Sequence, residues 1–364
     1  MDKVKIKYDS LEFSELKSTF YGYNDFSFNW NQLIWAAITV GRDSWSDVKI
    51  DVNNYKKEII FRKSMLDFAI TVIPKTEKDK FGNDVLNFRP YTSKGFNCMD
   101  GSEKTAISYF MSTIFVKLFS ARLLNCPWLM HLDRYAGRRF NATFVKGGKK
   151  FHTTKRPDLV GLRNGPILFD DLGNPYITSD WMAFESKGRS SRVKSALDEA
   201  KDQLENLDKI NSVDPLRVAL QTYTSKSNEI KVVWRDPESK IAKNSFCLTI
   251  NKKDFLFEYY YPIYRLIVSN DNLDRLYLNE NLYFTYEIDG TLKIGLRSDV
   301  FISMLFNLDD IYEQKNKNED YFEFNEYEDS SYNWTEGSDG IIIGTKSGSD
   351  PFSNYIKNLR DNFN

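Results

Sequence analysis

Cysteine and histidine are scarce. The 364-residue chain has 3 cysteines, Cys98, Cys126 and Cys247, and 2 histidines, His131 and His152. The cysteines have no paired spacing, which excludes a disulfide framework and a structural zinc site. Two histidines leave little room for a His-rich metal centre or a Ser-His-Asp triad. No GxxxxGK[ST], GxGxxG or HExxH pattern occurs, so the common nucleotide and zinc enzymes find no support. The nearest approach, Val145-Lys146-Gly147-Gly148-Lys149-Lys150, lacks the phosphate-loop spacing and its Ser/Thr. No apolar run approaches the ~20 residues that a membrane span needs, and no span is expected. The opening MDKVKIKYDSLEF has no apolar h-region. A secretory signal is therefore not expected, and a cytoplasmic location is.

Hydrophobic residues make up 41% and charged residues 28%, which fits a globular chain and neither a disordered one nor a fibre. Net charge is −1, from 50 basic and 51 acidic residues. The charges are segregated, however. From Arg134 to Arg156 stand eight basic residues and no acidic one, and from Glu319 to Asp329 six acidic residues and no basic one. A basic stretch of this kind suits a polyanionic partner, and the acidic one could cover it.

No internal repeat and no long linker divides the chain. Residues 1–95 are aromatic-rich and read as an N-terminal accessory region, with a helix around Asn31–Thr39 and a strand pair over Val48–Arg62. Residues 103–124 give the clearest helix: Ile107, Phe110, Met111, Ile114 and Leu118 form an apolar stripe, and Asp100 with Glu103 supplies a start signal. Short apolar runs at Trp128–Leu132, Phe140–Val145, Asp158–Leu162 and Trp181–Phe184 read as strands, with a hairpin connection at Asp170–Asp180. A helix over Val193–Ile210 follows, then strands at Arg217–Thr224 and Glu229–Trp234. This order predicts a mixed α/β core over 96–240, a central mixed sheet flanked by helices. In the C-terminal region, 241–364, Lys253–Val268 reads as a helix that Pro262 should interrupt. Residues 309–340, including the acidic segment 319–329, read as mobile, and Ile341–Ile343 as an edge strand.

The informative segments are Lys155-Arg156-Pro157-Asp158-Leu159-Val160-Gly161 and Trp181-Met182-Ala183-Phe184-Glu185-Ser186-Lys187-Gly188-Arg189. Alternation along a strand puts Glu185 and Lys187 on one face and Ser186 on the other. Two carboxylates are hard oxygen donors suited to Mg²⁺ or Mn²⁺. Glu-x-Lys alone has no weight, since it recurs at Glu15, Glu199, Glu229, Glu238 and Glu313. At 185–187 it is joined by a Pro-Asp opening an apolar strand, a turn, an apolar strand leading into the Glu, and a helix beyond. Together these segments resemble the PD-(D/E)xK nuclease superfamily, over residues 100–236.

The resemblance implies a restriction-endonuclease-like core with N- and C-terminal additions, and a metal-dependent nuclease acting on DNA. Asp158 and Glu185, with the Ser186 carbonyl, would hold one or two Mg²⁺ or Mn²⁺ ions, and Lys187 would orient water and neutralise the phosphate. Glu103, on the preceding helix, and Gln203, on the following one, would join the site, although Glu103 also completes a capping box. Arg156, Arg189, Arg192 and Lys201 would hold nucleic-acid phosphates. Asp170 is the best substitute ligand, ahead of Asp171 and Asp180. Such proteins serve restriction and phage defence in bacteria, and a separate ATPase or sensor subunit would be a partner. The competing reading is a non-catalytic module that binds nucleic acid or a partner.

Overall fold

The computed structural model describes residues 3–11, 22–42, 44–79, 81–136, 143–144, 156–164, 179–235, 245–270, 273–306, 326–328, 331–349 and 352. Its first part comprises strands β1 (Val4–Leu11) and β2 (Gly22–Phe28), helices α1 (Trp30–Thr39), α2 (Ser46–Ile50) and α3 (Asn53–Ala69), the hairpin β3 (Ile70–Lys78) and β4 (Asp84–Thr92), and helices α4 (Lys94–Cys98) and α5 (Gly101–Leu123). The middle comprises β5 (Trp128–His131), α6 (Asp133–Ala136), β6 (Thr143–Phe144), β7 (Leu159–Leu162), β8 (Trp181–Arg189), α7 (Lys194–Leu204), β9 (Leu207–Ile210), β10 (Leu216–Thr224) and β11 (Ile230–Arg235). The last part comprises β12 (Phe246–Leu248), α8 (Lys252–Val268), β13 (Asp274–Leu278), β14 (Asn281–Asp289), β15 (Leu292–Arg297), α9 (Ser298–Leu305), β16 (Glu326–Glu328), β17 (Tyr332–Glu336) and β18 (Ile341–Lys346).

The fold is mixed α/β. Its central sheet has the order β2-β1-β11-β10-β8-β7-β5. β5, β7 and β8 are antiparallel neighbours, β8 and β10 are parallel, and β1 is parallel to β11. Residues 1–95 thus supply two strands to the same sheet as 96–240. α5 packs on β8 and β10 on the side of Gly188, and α7 packs on the same strands on the side of Lys187. Strand alternation therefore puts the two helices on opposite faces. A second, antiparallel sheet, β13-β14-β15-β18-β17-β16, is formed by the C-terminal region.

α5 forms for the local reasons visible in its sequence. Asp100 Oδ1 accepts from Ser102 N at 2.6 Å and Glu103 N at 3.2 Å, and Glu103 Oε2 accepts from Asp100 N at 3.4 Å. These bonds satisfy donors that a helix start leaves open. At 23 residues α5 is long and apolar enough to cross a bilayer by length and composition. Here it is a core helix against the sheet. Lys117 within it is wholly buried: it donates to Tyr259 Oη at 2.6 Å and to the Pro127 carbonyl, and lies 3.9 Å from the buried Asp339. Burial pulls the Lys117 pKa down to about 8. Trp35 Nε1 donates to Asp339 Oδ1 at 3.0 Å, so this cluster ties α1, α5 and α8 to the turn between β17 and β18.

Several sequence expectations are corrected. Val48–Arg62 is helical rather than a strand pair, because Tyr55, Ile59 and Leu66 are buried on one side of α3. Val193–Ile210 is not one helix, since α7 ends at Leu204 and Leu207–Ile210 is β9, paired with β12. β6 pairs with β12 and lies outside the central sheet. Pro262 does not interrupt α8. The Glu258 carbonyl that loses its helical donor at Pro262 accepts instead from Trp45 Nε1 at 2.8 Å. Ile341–Ile343 belongs to β18, an internal strand between β15 and β17, and Tyr332–Glu336 is ordered as β17 with Trp334 buried. Residues Asp170 and Asp171 lie outside the described residues, as do 309–325 of the acidic region and most of the basic stretch.

Candidate active site

β7 and β8 bring the two sequence segments together. Asp158 stands directly before β7, and the backbone hydrogen bond from Leu132 N to Asp158 O, 2.8 Å, fixes it against the end of β5. On β8 the alternation is as expected, with Glu185 and Lys187 on one side and the Ser186 hydroxyl buried on the other. Asp158, Glu185, Ser186, Lys187 and Gln203 line one cleft of about 400 Å³ with Arg189 and Tyr109.

The hydrogen bonds form a chain. Asp158 N donates to Glu185 Oε2 at 2.9 Å, and Ser186 N donates to Asp158 Oδ2 at 3.0 Å. Lys187 Nζ donates to Glu185 Oε1 and to Gln203 Oε1, each at 2.5 Å. Gln203 Nε2 donates to the Arg156 carbonyl at 3.3 Å. α7 delivers Gln203 because Ala196, Leu197, Ala200 and Leu204 bury its apolar face against the sheet.

The electrostatics are those of a crowded anionic site. Burial, followed by the charge of Asp158, pushes the Glu185 carboxyl up to about 8, against the pull of Lys187. Burial raises Asp158 as well, although the Ser186 N–H and Lys187 favour its charged form. Of the cations lining the cleft, Lys187 bonds directly to a carboxyl, that of Glu185. Among the described residues no group of three or more His, Cys, Asp and Glu side chains gathers as a metal cluster. A cation here would rest on the two carboxylates, a backbone carbonyl and water.

The other predicted residues fall elsewhere or at the rim. Glu103 is exposed, serves the α5 cap and does not line the cleft. The helix presents Thr105, Ala106 and Tyr109 to the cleft. Arg189 is on the cleft wall. Arg156 contributes its carbonyl there while its guanidinium pairs with Asp133. Arg192 pairs with Asp9 at 2.9 Å, and Lys201 lies 3.9 Å from Glu205. Arg134, at the start of the basic stretch, is buried against Glu258 and belongs to the packing of α8. Asp180 accepts from Lys252 Nζ at 2.5 Å and does not line the cleft. Sequence reasoning missed Tyr109. It lies off the apolar stripe of α5 with the small Thr105 and Ala106 one turn before it, which is the only signal the sequence holds.

No family model, no curated protein and no solved structure matches the chain.

Proposed function

We propose that this chain is a metal-dependent nuclease that hydrolyses phosphodiester bonds of DNA, on a restriction-endonuclease-like core. The observation that carries the reading is the convergence of Asp158, Glu185, Lys187 and Gln203 on one cleft through direct hydrogen bonds. The order of elements supports it too. An Asp precedes one strand of an antiparallel pair, Glu-x-Lys lies on the other, and the next helix supplies Gln203.

The donor set fits Mg²⁺ or Mn²⁺. Asp158 and Glu185 are hard oxygen donors, and both line the cleft. A cation bound there would polarise the phosphodiester and acidify an attacking water. The protein's own part is positioning. Glu185 and Gln203 hold the Lys187 ammonium from two sides, fixed where charge would grow on a phosphate oxygen. Gln203 is in turn anchored to the Arg156 carbonyl, so Lys187 has little freedom to swing away. Arg189, half-buried at the cleft wall, suits a flanking phosphate. A role in restriction or phage defence and a partner such as an ATPase or sensor subunit follow from the resemblance and belong to the same proposal.

The test is incubation with supercoiled, linear duplex and single-stranded DNA in Mg²⁺, Mn²⁺ or EDTA. Metal-dependent cutting is expected. Absence of cutting together with absence of divalent-cation binding would refute the reading.

A further inference from the structure

α5 meets β8 where a side chain is missing. A Cβ on Gly188 would stand 2.1 Å from the Ser108 carbonyl oxygen and 2.6 Å from the Tyr109 backbone nitrogen. The helix therefore reaches this depth only because residue 188 is Gly. The next residue along the helix is carried into the cleft beside Asp158, Glu185 and Lys187, and it is Tyr109. Its side chain is 40% exposed, so the ring forms part of the mouth. It shares the lining of that cleft with Asp158. The Asp158 carboxylate already accepts the Ser186 N–H through Oδ2.

We propose that Tyr109 is a positioning residue of this site: its hydroxyl donates to the Asp158 carboxylate and fixes the orientation in which that carboxylate meets a divalent cation. The inference rests on Asp158 and Glu185 being the cation ligands. A carboxylate held by one donor can still swing about its Cβ–Cγ bond; one held by a backbone N–H and a phenol cannot. A tyrosine phenol ordinarily ionises near pH 10, so at neutral pH its hydroxyl is a donor. Partners of this kind, which hold a ligand without touching the metal, are typically worth about 10–100-fold in metal affinity.

The test is Mn²⁺ binding, read by calorimetry or by electron paramagnetic resonance of the free ion, for the wild type, Tyr109→Phe and Asp158→Asn, with a thermal melt of each. Tyr109→Phe keeps the ring and removes only the hydroxyl. The expected result is a wild-type melt, Mn²⁺ affinity weakened by about tenfold, and DNA cleavage that recovers at saturating Mn²⁺. Unchanged Mn²⁺ affinity in Tyr109→Phe, with binding lost in Asp158→Asn, would overturn the role of Tyr109 and leave the cation site standing. Equal Mn²⁺ binding by wild type and Asp158→Asn would overturn both.

Discussion

Asp158 and Glu185 hold one another through the backbone. The Asp158 N–H donates to the Glu185 carboxylate, and the N–H of Ser186, next to Glu185, donates back to the Asp158 carboxylate. Two acids that would repel as anions are thereby locked side by side at the junction of β7 and β8. The fold supplies the donors that make this tolerable, and Lys187 supplies one compensating charge.

The first expected consequence is a pH-dependent stability. Glu185 titrates at about 8 in the fold, against an ordinary value of 4.5. Between those values the folded protein binds a proton that the unfolded chain releases. The resulting stabilisation is complete below about 4.5 and is lost as pH rises through about 8. In EDTA, the wild-type melting temperature should fall across that window, and the fall should be shallower in Glu185→Gln. Parallel curves for the two proteins would contradict the burial described for Glu185.

Gln203→Leu should remove one of the two acceptors of Lys187 while leaving the apolar face of α7 intact. DNA cleavage is expected to drop by about 10–100-fold, the range seen when supporting partners of a site are removed. The melting temperature should change little. Wild-type rates at matched metal concentration would show that Lys187 needs only Glu185.

Gly188→Ala should damage both the packing and the site, because its Cβ would collide with backbone atoms of Ser108 rather than with a movable side chain. Overpacking of this kind costs about 1–3 kcal/mol or more. Chemical denaturation measures that loss, and unchanged stability would show that α5 can shift without penalty.

Much of this site was legible because its determinants are local. The capping box of Asp100 and Glu103, the i to i+2 alternation of Glu185 and Lys187, and the apolar face that aims Gln203 can each be read within a few residues. What escaped is set by distant contacts. Pro262 sits inside α8 because Trp45, far away in sequence, takes the freed Glu258 carbonyl. Ile341–Lys346 is internal rather than an edge because β17 forms out of a polar stretch around the buried Trp334. Tyr109 reaches the cleft through the close approach at Gly188, and Arg134 leaves the basic surface because Glu258 awaits it inside.

The Lys117 cluster should behave as one unit. Lys117→Met alone leaves Asp339 buried with a charge partner removed, and is expected to cost about 3–5 kcal/mol. Adding Asp339→Asn should recover part of that loss, giving a coupling of about 1–3 kcal/mol in a double-mutant cycle. Additive losses by urea denaturation would indicate that the two charges, 3.9 Å apart, do not support one another.

The central claim is that Glu185 and Lys187 perform metal-dependent cleavage together. The most direct measurement is the rate of plasmid nicking in Mg²⁺ or Mn²⁺ by the wild type, Glu185→Ala and Lys187→Ala, purified in parallel and matched by circular dichroism. The account predicts cutting by the wild type that EDTA abolishes, and a loss of at least about 100-fold in each variant. Cutting that survives both substitutions would contradict it.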